Sequence, residues 1–111
     1  KFRGGLGQDV VLDILSDKPV NISLLSDRHK YPPRGLAGGQ PGSTSVVALS
    51  DGARLHPKSR GVLKPGDTLH IHFPGGGGFG PPAERDPRAI ERDIEFGYVS
   101  RDAARKLYGA Q

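Results

Sequence analysis

The chain has 111 residues, with 16 Lys and Arg against 12 Asp and Glu, and its formal net charge is +4 at pH 7. This length predicts one small domain with a modest core, because a chain of this size buries only about 60–68% of its unfolded surface. It contains no Cys, which excludes disulfides, thiolate zinc sites and cysteine nucleophiles within it. The longest uncharged stretch, Gly35–Ser50, is mostly polar and predicts no transmembrane segment. No apolar signal core follows Lys1–Gly5, so we expect a soluble cytoplasmic protein.

Glycine and proline are abundant in this sequence. The 17 Gly and 10 Pro make up about a quarter of the chain, but they are clustered, and hydrophobic periodicity persists between the clusters. This pattern favours a folded domain with tight turns over a disordered chain. Basic and acidic residues are interleaved, as in Glu91-Arg92-Asp93, which is typical of a mixed solvated surface and predicts no nucleic-acid partner.

Two alternating segments near the start of the chain predict a β-hairpin. Apolar residues alternate with others in Gln8–Leu15 and again in Val20–Leu25, and Ser16–Pro19 supplies turn residues between them. From residue 26 to residue 44 the alternation stops. That stretch predicts a long irregular loop, which in a compact domain is usually functional or mobile.

The middle of the chain predicts further short strands. Ser45–Leu49 is a short apolar strand, and a weak one is expected near Arg54–Leu55. Leu63–Asp67 places Pro and Gly at the centre of a type II turn. It leads into Thr68–Phe73, in which apolar residues alternate with Thr and two His.

After residue 80 the period becomes helical. Asp86 is a good N-cap for a helix that Gly97 can end in the left-handed conformation. Ser100 is expected to cap a second helix over Arg101–Tyr108, which Gly109 ends. In the first helix Ala89, Ile90, Ile94 and Phe96 make the predicted apolar stripe; in the second, Ala103, Ala104, Leu107 and Tyr108 are expected to face inward.

The predicted fold is mostly β with α, an α+β class. Residues 1–83 are expected to form a small antiparallel β-domain with Gly/Pro-rich loops. Residues 84–111 are expected to form a two-helix hairpin packed on it, so that the chain is one structural unit and a portion of a larger subunit.

Several motifs, in order, resemble the C-terminal end of the hydantoinase B/5-oxoprolinase family. They cover nearly the whole chain, and their order and spacing make the resemblance specific. The motifs are Arg3-Gly4-Gly5-Leu6-Gly7-Gln8, Leu25-Ser26-Asp27-Arg28, Pro32-Pro33-Arg34-Gly35-Leu36-Ala37-Gly38-Gly39 with Pro41-Gly42, Leu63-Lys64-Pro65-Gly66-Asp67, Pro74-Gly75-Gly76-Gly77-Gly78-Phe79-Gly80, and Asp86-Pro87 with the tail to Tyr108-Gly109.

The resemblance implies an ATP-dependent hydrolase of cyclic amides such as hydantoins or 5-oxoproline. Its partners would be the remainder of a hydantoinase B-like subunit and a nucleotide-binding hydantoinase A-like subunit. This chain would complete a composite active site and be inactive alone. ATP and a divalent metal are implied for the full complex, with no cofactor bound by this chain. The alternative is a non-catalytic assembly module of a related ATP-dependent carboxylase of the acetone or acetophenone type.

The candidate residues that line a substrate or a partner are few. Arg3, with glycines after it, could present a guanidinium to a carboxylate or phosphate, or could lie in a turn at a sheet edge. Gln8 closes the same motif. Asp27 and Arg28 lie where a strand meets the long loop, and either contact a substrate or partner, or form an ion pair or loop cap.

Gly75, Gly76, Gly77 and Gly78 allow two interpretations. Successive backbone N–H groups could cradle an anion, or the backbone could be pressed against another chain segment. A P-loop needs Lys-Ser/Thr after its last glycine, whereas Pro81-Pro82 follow here. The P-loop motif is therefore absent. The run is either backbone pressed against another segment or, as the resemblance implies, part of the lining of the composite site.

No catalytic residue and no metal ligand is assigned. His70 and His72 share a strand face and could chelate zinc, but solvent-facing histidines are commoner, and His29 is also expected to be exposed. No Ser-His-Asp or paired-carboxylate arrangement can be assembled from spacing alone. The acidic residues of Glu84–Glu95 are expected to be ordinary surface charge.

Overall fold

The computed structural model describes residues 1–109, and these divide into two compact units. One, which we call the sheet unit, contains Gly7–Pro32 and Ser43–Pro74. The other, the glycine unit, contains Lys1–Leu6, Pro33–Gly42 and the residues from Gly75 on. Both units are therefore built from separate stretches of the chain, whereas the sequence predicted a division at residue 83.

The sheet unit contains two antiparallel sheets. Their strands are β1 (Gln8–Asp13), β2 (Val20–Ser23), β3 (Val46–Leu49), β4 (Arg54–Leu55), β5 (Arg60–Leu63) and β6 (Thr68–Phe73). Four of them pair in the order β1-β6-β3-β4, and the other two, β2 and β5, pair with each other. Together with the helices of the glycine unit they confirm the predicted fold class, mostly β with α.

The predicted hairpin between the first two strands is wrong. Strand β1 pairs with β6, with Val10 opposite Ile71, and β2 pairs with β5, with Val20 opposite Leu63. The alternation of apolar and polar residues determines which residues share a face of a strand. Which strand it pairs with depends on long-range packing. Strand β5 was missed because Gly61 interrupts a segment of only four residues.

The core of the sheet unit is small and both sheets contribute to it. Val47, Leu63 and Leu69 are buried together. The partly buried apolar side chains around them are Ile14, Ile22, Leu24, Leu49, Leu55 and Ile71. The type II turn before β6 forms as predicted, because Gly66 has φ 85° and Asp67 N donates to Lys64 O at 3.1 Å.

The glycine unit carries a short 3₁₀ turn, Pro82–Glu84, and two helices, α1 (Pro87–Glu95) and α2 (Arg101–Tyr108). Both N-caps are confirmed. The Asp86 side chain accepts from Arg88 N, and the Ser100 side chain accepts from Ala103 N. Within residues 1–109, neither helix is long and apolar enough to cross a membrane.

The helix ends and most of the apolar faces also follow the prediction. Gly97 and Gly109 adopt φ 73° and 66°, and Ile90 and Ala104 are buried. Phe96 and Leu107, however, were expected to face inward and are exposed instead. Each lies in the last turn of its helix or just beyond it.

Candidate functional site

Three segments of the glycine unit lie side by side and form what we call the glycine layer. They are Lys1–Leu6, Pro33–Gly42 and Gly75–Gly80. Phe2 and Phe79 exchange two backbone hydrogen bonds of 2.8 Å, and Gly78 N donates to Gln40 O at 2.9 Å. The last segment is therefore bonded to both of the others.

Several glycines of this layer are required because the backbones approach each other closely. A Cβ on Gly39 would lie 2.1 Å from Gly78 O, and a Cβ on Gly77 would lie 2.1 Å from Arg34 O. A Cβ on Gly4 would lie 2.4 Å from Gly76 O. No side chain fits at such distances, so the structure agrees with the interpretation of Gly75–Gly78 as backbone pressed against other segments.

Several backbone N–H groups of the glycine layer, which a phosphate would need as donors, already form hydrogen bonds within the layer. The N–H groups of Gly76, Gly78, Phe79 and Gly80 all donate to backbone carbonyls. An anion cradle depends on successive N–H groups that are free to converge on the ligand. The glycine run therefore does not fit a nucleotide phosphate.

Arg3 contacts a buried acid. Its Nε donates to Asp93 Oδ2 at 2.9 Å, and Arg85 Nη2 donates to the same oxygen at 2.7 Å. Asp93 is only 1% exposed, so its assignment to surface charge was wrong. A signal for its burial was present in the sequence, because Asp93 follows Ile90 by three positions and Ala89 by four and so lies on their helix face.

Opposing effects set the charge state of Asp93. Burial alone would raise the pKa of its carboxyl, but the hydrogen bonds and positive charges of Arg3 and Arg85 outweigh burial and lower it.

Two aromatic rings pack against the arginines that hold Asp93. The Arg3 guanidinium lies 5.2 Å from the centre of the Tyr98 ring, and that of Arg85 lies 5.6 Å from the centre of the Tyr108 ring.

Sequence reasoning missed Arg85, whose side chain is almost fully buried. Among residues 1–109, Arg85 Nε and Asp93 Oδ1 find no hydrogen-bond partner. Arg3 is thus held by a structural ion pair. It also borders a cavity of about 230 Å³ with Phe2, Gln40 and Tyr108 among its walls, smaller than pockets that take drug-sized ligands.

Asp27 and Arg28 are anchored in the sheet unit. Lys58 Nζ lies 2.7 Å from Asp27 Oδ1, and this hydrogen bond and charge lower the pKa of the Asp27 carboxyl. Ser45 donates from its hydroxyl to Asp27 O and from its N–H to Arg28 O. Arg28 itself has φ 63°, an uncommon conformation for a residue with a side chain.

The Arg28 side chain is exposed and borders a second cavity, of about 430 Å³. Asp27, His29 and Lys58 also line it. His29 is half-buried rather than exposed as expected, because its ring packs edge-on against the His56 ring at 5.0 Å between centres. Among the residues predicted to line a substrate or a partner, Arg28 is therefore the one whose charged group remains available to bind it.

The predicted residues do not form one cluster inside either unit. Arg3 and Gly75–Gly78 belong to the glycine unit, whereas Gln8, Asp27 and Arg28 belong to the sheet unit. Gln8 begins β1, opposite Phe73 of β6, and its side chain is exposed. The structure brings Arg3 near the glycine run, since Arg3 Nη1 donates to Gly4 O and Gly4 packs on Gly76.

The two strand histidines differ in their surroundings. His70 is exposed, whereas His72 uses both ring nitrogens, with Nδ1 at 2.6 Å from Asp9 Oδ1 and Nε2 at 2.9 Å from Ser43 Oγ. The part of the chain that the structure describes contains no group of three His, Asp or Glu side chains that could hold a metal ion.

Comparison with known proteins decides the family. The family model described as hydantoinase B/oxoprolinase matches residues 1–82. The chain belongs to the hydantoinase B/oxoprolinase family. The resemblance read from the motifs is confirmed.

Three relatives show how the family match extends along the chain. An uncharacterised protein of Methanocaldococcus jannaschii is 37% identical over 97% of this chain and 19% of its own length. The 5-oxoprolinase of Saccharomyces cerevisiae is 41% identical over 72% of this chain and 6% of its own length. Caprolactamase subunit beta of Pseudomonas jessenii is 31% identical over 98% of this chain and 20% of its own length. The chain thus spans a fifth or less of these relatives, and no solved structure matches it significantly.

Proposed function

We propose that this member of the hydantoinase B/oxoprolinase family is a domain of an ATP-dependent cyclic-amide hydrolase. It would complete a composite active site and be inactive alone. The observation that carries the proposal is the family match over residues 1–82. The names of two relatives, a 5-oxoprolinase and a caprolactamase subunit, support cyclic amides as the substrate class.

The nucleotide and the divalent metal would have to be held elsewhere in the complex. The N–H groups of Gly76 and Gly78 donate to backbone carbonyls, so no two successive N–H groups of the glycine run are free to bind a phosphate, and residues 1–109 offer no cluster of three metal-ligating side chains. The described residues therefore fit neither group. We assign both to the remainder of a hydantoinase B-like subunit and a hydantoinase A-like subunit, assembled in the cytoplasm.

Arg28 is the residue of this chain most suited to reach into such a composite site. Its backbone is fixed by the hydrogen bond from Ser45 N, and its guanidinium is exposed beside the cavity of about 430 Å³. A guanidinium binds a carboxylate through two parallel hydrogen bonds. Arg3 is less suited, because Asp93 already holds its Nε.

The test measures ATP-dependent hydrolysis of 5-oxoproline, hydantoin and caprolactam by the assembled complex and by the 111-residue chain alone. We expect turnover only from the complex. Arg28→Ala should lower turnover of 5-oxoproline, which has a carboxylate for the guanidinium to bind, while the complex still assembles, since the exposed guanidinium contributes little to folding. Arg54→Ala, an exposed arginine on β4, is the matched control and should leave turnover unchanged. Hydrolysis of these amides by the isolated chain would contradict the proposal.

The second candidate is a non-catalytic assembly module of a related ATP-dependent carboxylase of acetone or acetophenone. The exposed apolar residues Phe2, Leu36 and Phe79 favour it, because solvent-facing groups of this kind mark interaction surfaces. The same variants, with the substrate assay extended to acetone and acetophenone, separate the two candidates. If the complex carboxylates these ketones with ATP instead of hydrolysing the amides, Arg28→Ala keeps that turnover and Leu36→Asp prevents assembly, the module is the better account.

A further inference from the structure

Three side chains of the sheet unit form a hydrogen-bonded chain that the proposed function does not use. His72 Nδ1 lies 2.6 Å from Asp9 Oδ1, and His72 Nε2 lies 2.9 Å from Ser43 Oγ. We propose that Ser43 is a nucleophile that takes an acyl group from activated esters, with His72 as its general base and Asp9 as a positioning residue. This chemistry requires neither ATP nor a partner, so it is independent of the proposed function.

The sheet explains how residues so far apart in sequence meet. Strand β6 lies between β1 and β3. Asp9 of β1 is directly opposite His72, and Val46 of β3 is opposite it on the other side. Opposed residues of neighbouring strands share a face and approach to about 5 Å. Ser43 precedes Val46 by three positions, where the chain approaches β3.

The contacts define the tautomer of His72. An ionised carboxylate can only accept hydrogen bonds, so Nδ1 of His72 carries the hydrogen that it donates to Asp9. In the neutral ring Nε2 then has a lone pair, and it accepts the hydrogen bond from the Ser43 hydroxyl. A general base needs this arrangement, with its lone pair on the proton that it must remove.

The site is open to an approaching ester. Ser43 is exposed, and the side chains of His72 and Asp9 are 37% and 79% exposed. Water weakens the hydrogen bond between Asp9 and His72 compared with a buried pair. We therefore place the rate gain at the low end of what general base catalysis supplies, about 10²-fold.

The acyl transfer proceeds in balanced steps. Ser43 Oγ forms a bond to the ester carbonyl carbon while its proton moves to His72 Nε2, and Asp9 stabilises the resulting imidazolium. The bond between that carbon and the leaving oxygen then breaks, and the leaving group takes the proton from Nε2. Water, activated by His72 in the same way, hydrolyses the serine ester and restores the hydroxyl.

The test uses a fluorophosphonate, which traps the first step because Oγ bonds to phosphorus as fluoride leaves. The 111-residue chain is treated in buffer and in urea, and the modified residue is identified by mass spectrometry. We expect modification at Ser43 about 10²-fold faster in buffer than in urea. Ser43→Ala should abolish it, and His72→Ala should reduce the rate to that in urea.

Matched variants separate catalysis from structure. His70→Ala and Ser50→Ala remove an exposed histidine and an exposed serine of the same unit and should leave the rate unchanged. Asp9→Asn should lower the rate and Asp9→Glu should restore part of it, with the thermal transition of the chain unmoved. Equal rates in buffer and urea, modification at another residue, or equal effects of His70→Ala and His72→Ala would overturn the proposal.

Discussion

At the scale of single residues, Asp93 is the most consequential side chain of the glycine unit. It is buried between Arg3 and Arg85 and accepts from both with one oxygen. Asp93→Asn removes the charge that compensates a buried guanidinium, and breaking a buried pair in this way costs about 3–5 kcal/mol. Urea unfolding followed by circular dichroism measures the loss. Glu91→Gln, on the same helix but in an exposed pair with Arg101, should cost less than about 1 kcal/mol, and equal losses would contradict the prediction.

The lowered pKa of Asp93 also predicts how stability depends on pH. Because the folded-state pKa lies below the unfolded value of about 3.9, the stabilisation is fully present above that value. It is lost as the pH falls from there through the folded-state pKa. We expect the unfolding free energy of the wild-type chain to fall more steeply below about pH 4 than that of Asp93→Asn. Parallel pH profiles for the two would show that Asp93 is not the group responsible.

Asp27 gives a second prediction at this scale. Its pKa is lowered by the hydrogen bond and charge of Lys58, so Lys58→Ala should raise it towards the ordinary value for an aspartate. NMR titration of the Asp27 carboxyl carbon measures the change. Lys64→Ala, another lysine of the sheet unit, serves as the control and should not move the titration of Asp27.

The residue roles that sequence reasoning missed share a physical reason. Asp93 and Arg85 lie among alternating charges, a pattern that usually indicates a solvated surface, and only the helix face that Asp93 shares with Ile90 indicates otherwise. Ser43, His72 and Asp9 come from three stretches of chain whose spacing carries no information about contact. Local patterns report exposure and period, whereas these contacts depend on the long-range register of β6.

At the scale of elements, the glycine layer predicts a sharp difference between neighbouring glycines. Gly77→Ala would place a Cβ 2.1 Å from Arg34 O, whereas a Cβ on Gly5 has no atom within 4 Å. We expect Gly77→Ala to unfold the glycine unit or destabilise it by more than about 3 kcal/mol. Gly5→Ala should be neutral or stabilise by up to about 1 kcal/mol. Urea unfolding compares the two, and similar midpoints would contradict the close packing of the layer.

At the scale of elements, local sequence patterns predicted some of the secondary structure correctly. The alternation of Thr68–Phe73 matched β6 over its full length, and both helix N-caps were identified from Asp86 and Ser100. These features depend on residues close in sequence. The pairing of β1 with β6 joins segments more than fifty residues apart. The turn residues between β1 and β2 predicted a hairpin of those two strands and did not indicate this pairing.

At the scale of the whole molecule, exposed apolar side chains outnumber buried ones. Among residues 1–109, fourteen large hydrophobic side chains are exposed. Five apolar side chains are buried within residues 1–109. We therefore expect further protein, in the proposed complex, to cover part of this surface.

The absence of Cys makes that expectation measurable, since an introduced cysteine is the only thiol of the chain. Leu36→Cys, at a position that is 67% exposed, should react readily with a maleimide in the isolated chain. It should react more slowly once the remainder of a hydantoinase B-like subunit is bound. Lys18→Cys, in the exposed turn after β1, is the control. Unchanged reactivity at both positions would show that Leu36 stays uncovered.

The interleaving of the two units constrains the order in which the chain can mature on the ribosome. The hydrogen bonds between Phe2 and Phe79 join the start of the chain to a residue made 77 positions later. At ordinary elongation rates that interval is about 4–15 seconds. The first six residues must wait that long for their partners in Gly75–Gly80, whereas every residue of the sheet unit is made before Gly75. A chain that ends at residue 74 and has been released from the ribosome should therefore contain a protected sheet unit and a segment Lys1–Leu6 that proteases still cleave.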